Sequence, residues 1–206
     1  MAVLQVAGLR FAFDGEPPLF DGLSFSLGAG VHRLDGESGS GKTTLMKLLA
    51  GRLACTGQRL LNSLDAEADP AAWRQAVAWV DARDGAFDDL TPEALMQRLR
   101  PGYPHFDTAA WQGHIDGFGL APHAFKTLDM MSTGMRRKAA LAVVLASGCP
   151  LLLLDEPTAG LDAPSTAWLV AALVCSAAHA ADELKWYDRN VDAMAAASES
   201  GKPVFI

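Results

Sequence analysis

The chain has 206 residues, half of them hydrophobic and a fifth charged, which is ordinary for one compact α/β domain. Its net charge of −7 disfavours a nucleic-acid surface, because such surfaces are usually basic. Isolated cysteines at 55, 149 and 175 lack metal-ligand spacing and are typical of a reduced, cytosolic protein. Two apolar stretches, 139–154 and 167–181, are interrupted or too short to span a bilayer, so both are predicted to be core helices.

Two half-buried strands are predicted at the start of the chain. Residues 3–13 alternate loosely between apolar and polar side chains and end at an Asp-Gly turn, and residues 19–30 alternate Leu and Phe with Ser. We expect these strands to form an antiparallel layer. Phe11 and Phe13 fit a core, although one of them can instead stack on a nucleotide base.

The stretch GESGSGKTT, residues 36–44, has the spacing G-x-x-x-x-G-K-[ST]. Such a loop wraps its backbone N–H groups around a polyphosphate. Lys42 can then reach the β- and γ-phosphates, and the Thr43 hydroxyl can ligate Mg²⁺. A short strand is predicted before the loop at residues 31–35, and a helix is predicted from near Lys42. Strand, loop and helix together predict a nucleotide phosphate site.

The middle of the chain is predicted to be mainly helical. Strands are expected at residues 58–61 and 76–80. Thr91 is the expected N-cap of a helix that carries proline at its first position and runs to about Leu99. Helical patterning also covers residues 70–75, 108–119 and 122–128. We therefore expect a helical insert between about residues 88 and 146.

Four leucines at residues 151–154 lead into Asp155 and Glu156. A short run of this kind is typical of a strand buried on both faces in a parallel sheet. Ligands of open α/β sheets bind at the carboxyl ends of such strands. Asp155 is therefore a candidate for supporting Mg²⁺, and Glu156 can accept a proton from an attacking water. A loop, a long helix from near Ala163 and a last strand at 201–206 are predicted to follow.

Three motifs together resemble the nucleotide-binding domain of ABC ATPases. They are the phosphate loop, MSTGMRRKAALA at residues 131–142 and LLLLDEPTAGLD at residues 151–162, in the family's order and spacing. The resemblance covers about residues 3–173. It implies an α/β fold of the P-loop NTPase type, with a mixed sheet, an antiparallel β layer and a helical subdomain.

The resemblance also implies one ABC-type ATP-binding domain over residues 1–206. Its catalytic core is expected at about 1–87 and 147–206, and its helical subdomain at about 88–146.

Site residues follow from the resemblance position by position. The implied nucleotide-binding residues are Phe13, Gly36, Glu37, Ser38, Gly39, Ser40, Gly41, Lys42, Thr43 and Thr44. The implied Mg²⁺ ligands are Thr43 and Asp155, and the implied catalytic residues are Lys42 and Glu156. Phe13 takes the place of the aromatic residue that stacks on adenine.

Other implied residues act between subunits. Ser132 and Gly134 match the signature sequence whose helix faces the γ-phosphate of ATP held by a second subunit, while Thr133 and Met135 depart from its commonest form. A serine and a glycine suit a helix N-terminus that approaches an anion. Asp162 matches the aspartate of the loop that crosses the dimer interface.

Two positions depart from the family. The family places a glutamine that contacts Mg²⁺ and the attacking water where counting back from Leu90 and Thr91 gives Ala82. It also places a histidine that contacts the γ-phosphate after the next strand. His179 follows Asp162 too closely to leave room for a helix and that strand, so it is expected to lie in the helix.

The function implied is the ATP-binding subunit of an ABC transporter, which hydrolyses ATP at a dimer interface to drive a membrane permease. ATP and Mg²⁺ are the expected cofactors, and a transmembrane permease and a second ATP-binding subunit, identical or related, are the expected partners. No nucleic-acid partner is expected. The expected location is cytoplasmic, peripheral to the inner face of the cell membrane.

Two alternatives remain open at this point. A weakly hydrolysing or non-hydrolysing ATP-dependent clamp or regulatory subunit is favoured by the missing glutamine and histidine, whereas Asp155 and Glu156 argue against it. A soluble ABC ATPase outside transport is the other, but long insertions, tandem cassettes and basic arms are not visible in the sequence.

Overall fold

The computed structural model describes residues 3–82 and 84–178, with side chains up to residue 174. The described residues form two compact units, one of residues 3–74 with 175–178 and one of residues 75–174. His179 and the strand predicted for residues 201–206 lie outside the described residues.

The first unit contains a four-stranded antiparallel sheet in the order β2–β1–β3–β4. Its strands are β1 (Leu4–Phe11), β2 (Phe20–Leu27), β3 (Thr56–Leu61) and β4 (Leu64–Asp65). Alternation along β1 buries Leu4, Val6 and Leu9. The predicted antiparallel layer is therefore confirmed. Two helices accompany the sheet, α1 (Lys42–Leu49) and α2 (Pro70–Ala76).

The second unit joins a parallel pair of short strands to helices. The strands are β5 (Val77–Ala78) and β6 (Leu151–Leu152), and the helices are α3 (Pro92–Leu99), α4 (Thr108–Gly117), α5 (Thr133–Ala146) and α6 (Ala163–Ala178). Thr91 caps α3 as predicted, since its Oγ1 accepts a hydrogen bond from Ala94 N at 3.2 Å. Half of the residues of α5 are buried, which makes it the central helix of this unit.

Helices α4 and α6 pack through one tryptophan. A Cβ atom on Gly117 of α4 would lie 2.1 Å from the Trp168 ring, so only glycine leaves room for it. Trp168 Nε1 donates to His114 Nδ1 at 3.3 Å. Burial lowers the pKa of His114, which favours the neutral ring that can accept this bond. This contact fixes the first half of α6 against α4.

Some predicted elements are absent or shorter. Residues 31–35, predicted as a strand, belong to neither sheet of the described residues, and a strand forms only with a hydrogen-bonded neighbour. Residues 122–128, predicted to be helical, form only the end of one 3-10 turn (Ala121–His123) and the start of another (Leu128–Met130). The strands predicted at 76–80 and 151–154 shorten to two residues each. The helical subdomain at about 88–146 stays a prediction.

Candidate functional site

The phosphate loop of the first unit leads directly into α1. Gly41, the residue before the helix, has a φ of 94°, a left-handed conformation that glycine adopts at little cost. A Cβ atom there would lie 3.0 Å from Leu19 Cδ2 and 3.1 Å from Phe20 Cζ. Gly41 supplies no capping side chain to α1, and the N-terminus of a helix attracts anions such as phosphate.

Lys42 lies back over the loop that precedes it. Its Nζ donates hydrogen bonds to the carbonyl oxygens of Gly36 at 2.7 Å and Glu37 at 2.8 Å. Ser40 N also donates to Glu37 O, at 3.2 Å. The loop is exposed at residues 36–40, whereas the first residues of α1 are half-buried. An ammonium group and an exposed backbone turn are thus presented together, which suits a polyphosphate.

The opposite end of α1 is anchored by buried polar side chains. Arg59 donates to Leu48 O at 2.6 Å and to Glu67 Oε1 at 2.7 Å, and Trp73 Nε1 donates to Leu49 O at 2.7 Å. Arg59 is 5% exposed and Trp73 is 1% exposed, so together they satisfy the last two carbonyls of α1 away from solvent. A cation at this end also complements the helix dipole. Sequence reasoning missed this anchor, because nothing local to Arg59 indicates its partner.

Phe13 follows β1 and is 50% exposed. Its ring meets Phe11 edge to face, with centroids 4.9 Å apart and an interplanar angle of 84°. Phe11 is less exposed and faces Phe20 across the sheet. Half of the Phe13 surface is therefore exposed to solvent, and its role in adenine stacking stays a prediction.

The second unit brings the two acidic residues to the end of a parallel strand pair. Leu153 N donates to Ala78 O at 2.9 Å, which extends the pairing of β5 and β6. Asp155 and Glu156 follow β6, and Ala82 follows β5. All three residues line a cavity of about 30 Å³. Ala82 contributes a methyl group to the lining of this cavity, and its correspondence to the family's glutamine stays a prediction.

Glu156 has an unusual backbone. Its φ is 48°, a left-handed conformation that costs a residue with a Cβ atom roughly 1–2 kcal/mol. Its carbonyl accepts a hydrogen bond from Ala159 N at 3.1 Å, and Pro157 follows it directly. The turn after β6 therefore sets the direction in which the Glu156 side chain leaves the strand. Backbone strain of this kind is frequent at functional sites.

The signature residues stand at the start of α5. Ser132 Oγ caps the helix by accepting a hydrogen bond from Met135 N at 3.3 Å, and Ser132 and Thr133 are both exposed. A Cβ atom on Gly134 would lie 2.4 Å from Gly160 O. Glycine at 134 is therefore required by a contact inside this chain, in addition to the approach to phosphate that the resemblance implies.

Asp162 caps α6 and pairs with α5. Its Oδ1 accepts a hydrogen bond from Ser165 N at 2.8 Å, and its Oδ2 lies 2.6 Å from Lys138 Nζ. The hydrogen bonds from Lys138 and Ser165 hold the pKa of Asp162 well below its usual range. In this chain Asp162 is thus already engaged in a cap and an ion pair, and its predicted role at a dimer interface stays a prediction.

The predicted residues fall into two groups. The phosphate loop and Phe13 belong to the first unit, while the acidic pair, the signature and Asp162 belong to the second. Within the second unit, Ala82, Asp155 and Glu156 share a cavity, and the start of α5 packs against residues 159–162. Sequence reasoning missed Arg137 and Lys138, whose only signal is their place in the basic run RRK after the signature.

The described residues were compared with the side-chain clusters that bind metal ions and with the helices that cross membranes. No group of three or more His, Cys, Asp or Glu side chains there is arranged to hold a metal ion. Cys55 and Cys149 are both free thiols. None of the helices in residues 3–178 combines the length and the apolar character needed to cross a bilayer.

A phosphate loop before a helix, with two carboxylates at the end of a parallel strand, is typical of α/β nucleotide-binding proteins. The family model described as ABC transporter matches residues 20–159. The chain is 35% identical over 172 residues to the cytochrome c biogenesis ATP-binding export protein CcmA of Pseudomonas putida, with 82% of this chain and 81% of that protein covered. The chain therefore belongs to the ABC transporter family.

Other relatives and structures agree. The chain is 34% identical over 167 residues to the ABC transporter ATP-binding/permease protein Rv1747 of Mycobacterium tuberculosis, covering 77% of this chain but 19% of that longer protein. It resembles a solved ATP-binding subunit of an ABC transporter with a TM-score of 0.76 at 21% identity, over 87% of this chain and 76% of that one. It also resembles a bacterial Atm1-family ABC exporter with a TM-score of 0.72 at 24% identity, over 86% of this chain and 33% of that one.

Several predictions from the sequence are confirmed by these matches. The fold is that of ABC ATPase domains. The protein is an ATP-binding subunit of an ABC transporter and an ATPase. The residues that bind the nucleotide and carry out the reaction stay predictions.

Proposed function

We propose that this subunit binds ATP on its phosphate loop and hydrolyses it in a dimer, with the signature of one subunit closing over the nucleotide of the other. The observation that carries this proposal is the exposed phosphate loop, with Lys42 Nζ held 2.7 and 2.8 Å from two loop carbonyls at the start of α1. An anion that enters the loop offers this ammonium stronger, charge-assisted hydrogen bonds. The exposed start of α5, at Ser132 and Thr133, supplies a second helix N-terminus for the partner's γ-phosphate.

The donor set fits Mg²⁺. Thr43 and Asp155 offer a hydroxyl and a carboxylate, and Mg²⁺ prefers oxygen ligands. Mg²⁺ usually takes one or two protein carboxylates together with waters and substrate phosphates, so two protein ligands suffice. When bound there, the ion would neutralise negative charge on the β- and γ-phosphates.

Glu156 is the proposed general base. Its carboxylate would take a proton from the water that attacks the γ-phosphorus. The bond between the γ-phosphorus and the bridging oxygen of ADP would break, and ADP would leave. Lys42 would stabilise the charge that develops on the phosphate oxygens. Ala82 lines the same cavity and cannot donate or accept a hydrogen bond from its side chain, so water is held less firmly. We therefore expect slow turnover.

The proposed partners are a transmembrane permease and a second ATP-binding subunit, identical or related. The name of one relative joins ATP-binding with permease, and the name of another describes an export protein. On this proposal the subunit acts at the cytoplasmic face of the membrane and binds it through the permease. The net charge of −7 gives no support to a nucleic-acid partner.

Replacement of Glu156 by Gln tests the proposed chemistry, because the amide keeps size and hydrogen bonding and removes basicity. General bases contribute on the order of 10²–10⁴ in rate. We expect Glu156→Gln to bind Mg-ATP with near wild-type affinity and to release phosphate at least about 100-fold more slowly. Equal phosphate release by the two proteins would refute the role of Glu156.

A non-hydrolysing clamp is the second candidate, and the methyl group of Ala82 in the cavity is the observation that favours it. The clamp hypothesis predicts that the wild-type protein releases phosphate no faster than the Glu156→Gln variant does.

A further inference from the structure

Two basic residues of α5 hold the loop that follows Glu156, residues 157–162. The Arg137 guanidinium donates a hydrogen bond to Ala159 O. One residue further on, Lys138 Nζ lies 2.6 Å from Asp162 Oδ2, at the end of the loop. Both contacts join positions more than twenty residues apart in the sequence.

A backbone contact lies between these two side-chain contacts. The carbonyl oxygen of Gly160 approaches Gly134 so closely that a Cβ atom at 134 would lie 2.4 Å from it. Gly160 itself has a φ of 74°, which glycine adopts readily. We call Gly134, Arg137 and Lys138 the loop clamp. Its three members lie on adjacent turns of α5 and contact three positions in the loop.

The Lys138 side chain is 12% exposed and that of Asp162 is 56% exposed. The lysine stem is therefore packed, and only the ammonium reaches the carboxylate at the surface. A pair of this kind loses less strength to solvent screening than a fully exposed pair. Asp162 is also fixed by its bond to Ser165 N, so the pair joins two helices rather than two mobile side chains.

The loop held in this way begins with the left-handed backbone of Glu156. Ala159 N donates to Glu156 O at 3.1 Å, so the residue bound by Arg137 also closes the turn at Glu156. A strained backbone persists only where its surroundings hold it in place. The clamp provides this support from the helix that carries the signature.

The neighbouring basic residue faces a different segment. Arg136 donates to Leu128 O at 2.6 Å and to Asp88 Oδ1 at 2.8 Å, and so fixes the chain before the signature. Three consecutive basic residues therefore hold two segments. Arg136 fixes the approach to Ser132, and the next two residues fix the loop behind Glu156.

We propose that Arg137 and Lys138 are positioning residues, which orient Glu156 for proton transfer by fixing residues 157–162 to the signature helix. This inference rests on the proposed function, in which Glu156 accepts the proton of the attacking water. Neither residue touches the nucleotide in this account. A movement of α5 at its signature end would reach Glu156 through the clamp.

The test begins with Lys138→Met, which keeps the packed stem and removes the charge. Displacing a catalytic group by about 1 Å can cost up to a hundredfold in rate, so we expect kcat for Mg-ATP to fall at least about tenfold. KM for ATP is expected to stay within about twofold, because the phosphate loop is untouched. Lys138→Arg is expected to restore most of kcat. Lys126→Met, the same change at a lysine outside the clamp, is the matched control.

Asp162→Asn supplies the second arm, because asparagine caps helices as well as aspartate and removes only the charge. If Lys138 and Asp162 act as a pair, the double variant Lys138→Met/Asp162→Asn should have a kcat less than twofold below that of Asp162→Asn alone. If the two residues act independently, the losses of kcat in the single variants should multiply in the double variant. Wild-type kcat in Lys138→Met, or no recovery in Lys138→Arg, would overturn the proposal.

A third arm does not depend on hydrolysis. Amide hydrogen exchange over residues 157–162 is expected to quicken about tenfold in Lys138→Met, while exchange in α3 stays unchanged. Unchanged exchange in the loop overturns the clamp even if phosphate release falls. If the wild type releases no phosphate, the proposed function fails separately, and the exchange result still decides whether the clamp holds the loop.

Discussion

The phosphate loop and the loop behind Glu156 are both essential to the proposed site, yet they are held in different ways. The first is fixed by short-range bonds, since Lys42 contacts carbonyls five and six residues away. The second is fixed by α5, through contacts that span 22 and 24 residues. Local geometry is encoded in a motif of nine residues, whereas the second loop depends on how a helix packs. Substitutions should therefore affect the two loops differently.

The largest expected effect comes from the local loop. Lys42→Ala removes the ammonium that lies over the loop, and hydrogen bonds to charged groups contribute about 1.5–3 kcal/mol. We expect ATP affinity to fall by about 100-fold or more, measured by titration calorimetry, with an unchanged midpoint of urea unfolding. Lys126→Ala is the control. Near-normal affinity in Lys42→Ala would show that the phosphate site lies elsewhere.

Arg59→Met sharpens the comparison at the far end of α1. It leaves the carbonyl of Leu48 and the carboxylate of Glu67 without a buried partner. We expect a loss of roughly 1–3 kcal/mol in the free energy of unfolding, measured in urea, because the Leu48 carbonyl loses its buried donor. Arg10→Met removes an exposed ion pair with Asp21 and is expected to cost less than about 1 kcal/mol. Equal losses would mean that the anchor of α1 is not structural.

Gly134→Ala probes the second loop through its backbone contact. The added methyl group would meet Gly160 O at 2.4 Å, and overpacking of this kind costs about 1–3 kcal/mol. We expect lower stability and faster amide exchange over residues 157–162. Thr133→Ala, an exposed neighbour, should change stability by less than about 0.5 kcal/mol. A Gly134→Ala variant as stable as Thr133→Ala would contradict the close packing of α5 on this loop.

The smallest expected effect is a gain of activity at Ala82. Ala82→Gln puts an amide into the cavity shared with Glu156, where it can bridge the metal and the water. We expect Mg²⁺-dependent phosphate release, measured with a coupled assay, to rise a few-fold. Arg98→Gln, at an exposed site on α3, serves as the control. Unchanged turnover with intact folding would mean that the loop after β5 does not reach the water.

The sequence predicts most of what depends on local patterns. The antiparallel layer, the cap at Thr91 and the start of α1 at Lys42 all follow from spacing and periodicity. The acidic pair does follow a strand, but both residues of β6 are half-buried, so the prediction of a strand buried on both faces was wrong. A strand is predicted at residues 31–35 only because they precede the phosphate loop, and that position does not supply the hydrogen-bonded neighbour that a strand needs.

Three side chains that organise the site could not be predicted in this way. Arg59, Arg137 and Lys138 are ordinary surface residues by type, and their partners are distant in sequence. Their roles depend on which helices pack together. Gly134 shows the same limit, because the sequence accounts for a glycine near phosphate but not for the carbonyl of Gly160 behind it.

The central claim is that the signature of one subunit binds ATP held by another, and sedimentation velocity tests it most directly. Glu156→Gln with Mg-ATP is expected to sediment as a dimer. Adding Ser132→Asp keeps the cap of α5 but places a negative charge against the γ-phosphate, so it is expected to restore the monomer. Adding Ser132→Asn, which caps without charge, should leave the dimer intact. A Glu156→Gln protein that remains monomeric at saturating Mg-ATP, or a dimer indifferent to Ser132→Asp, would contradict the account.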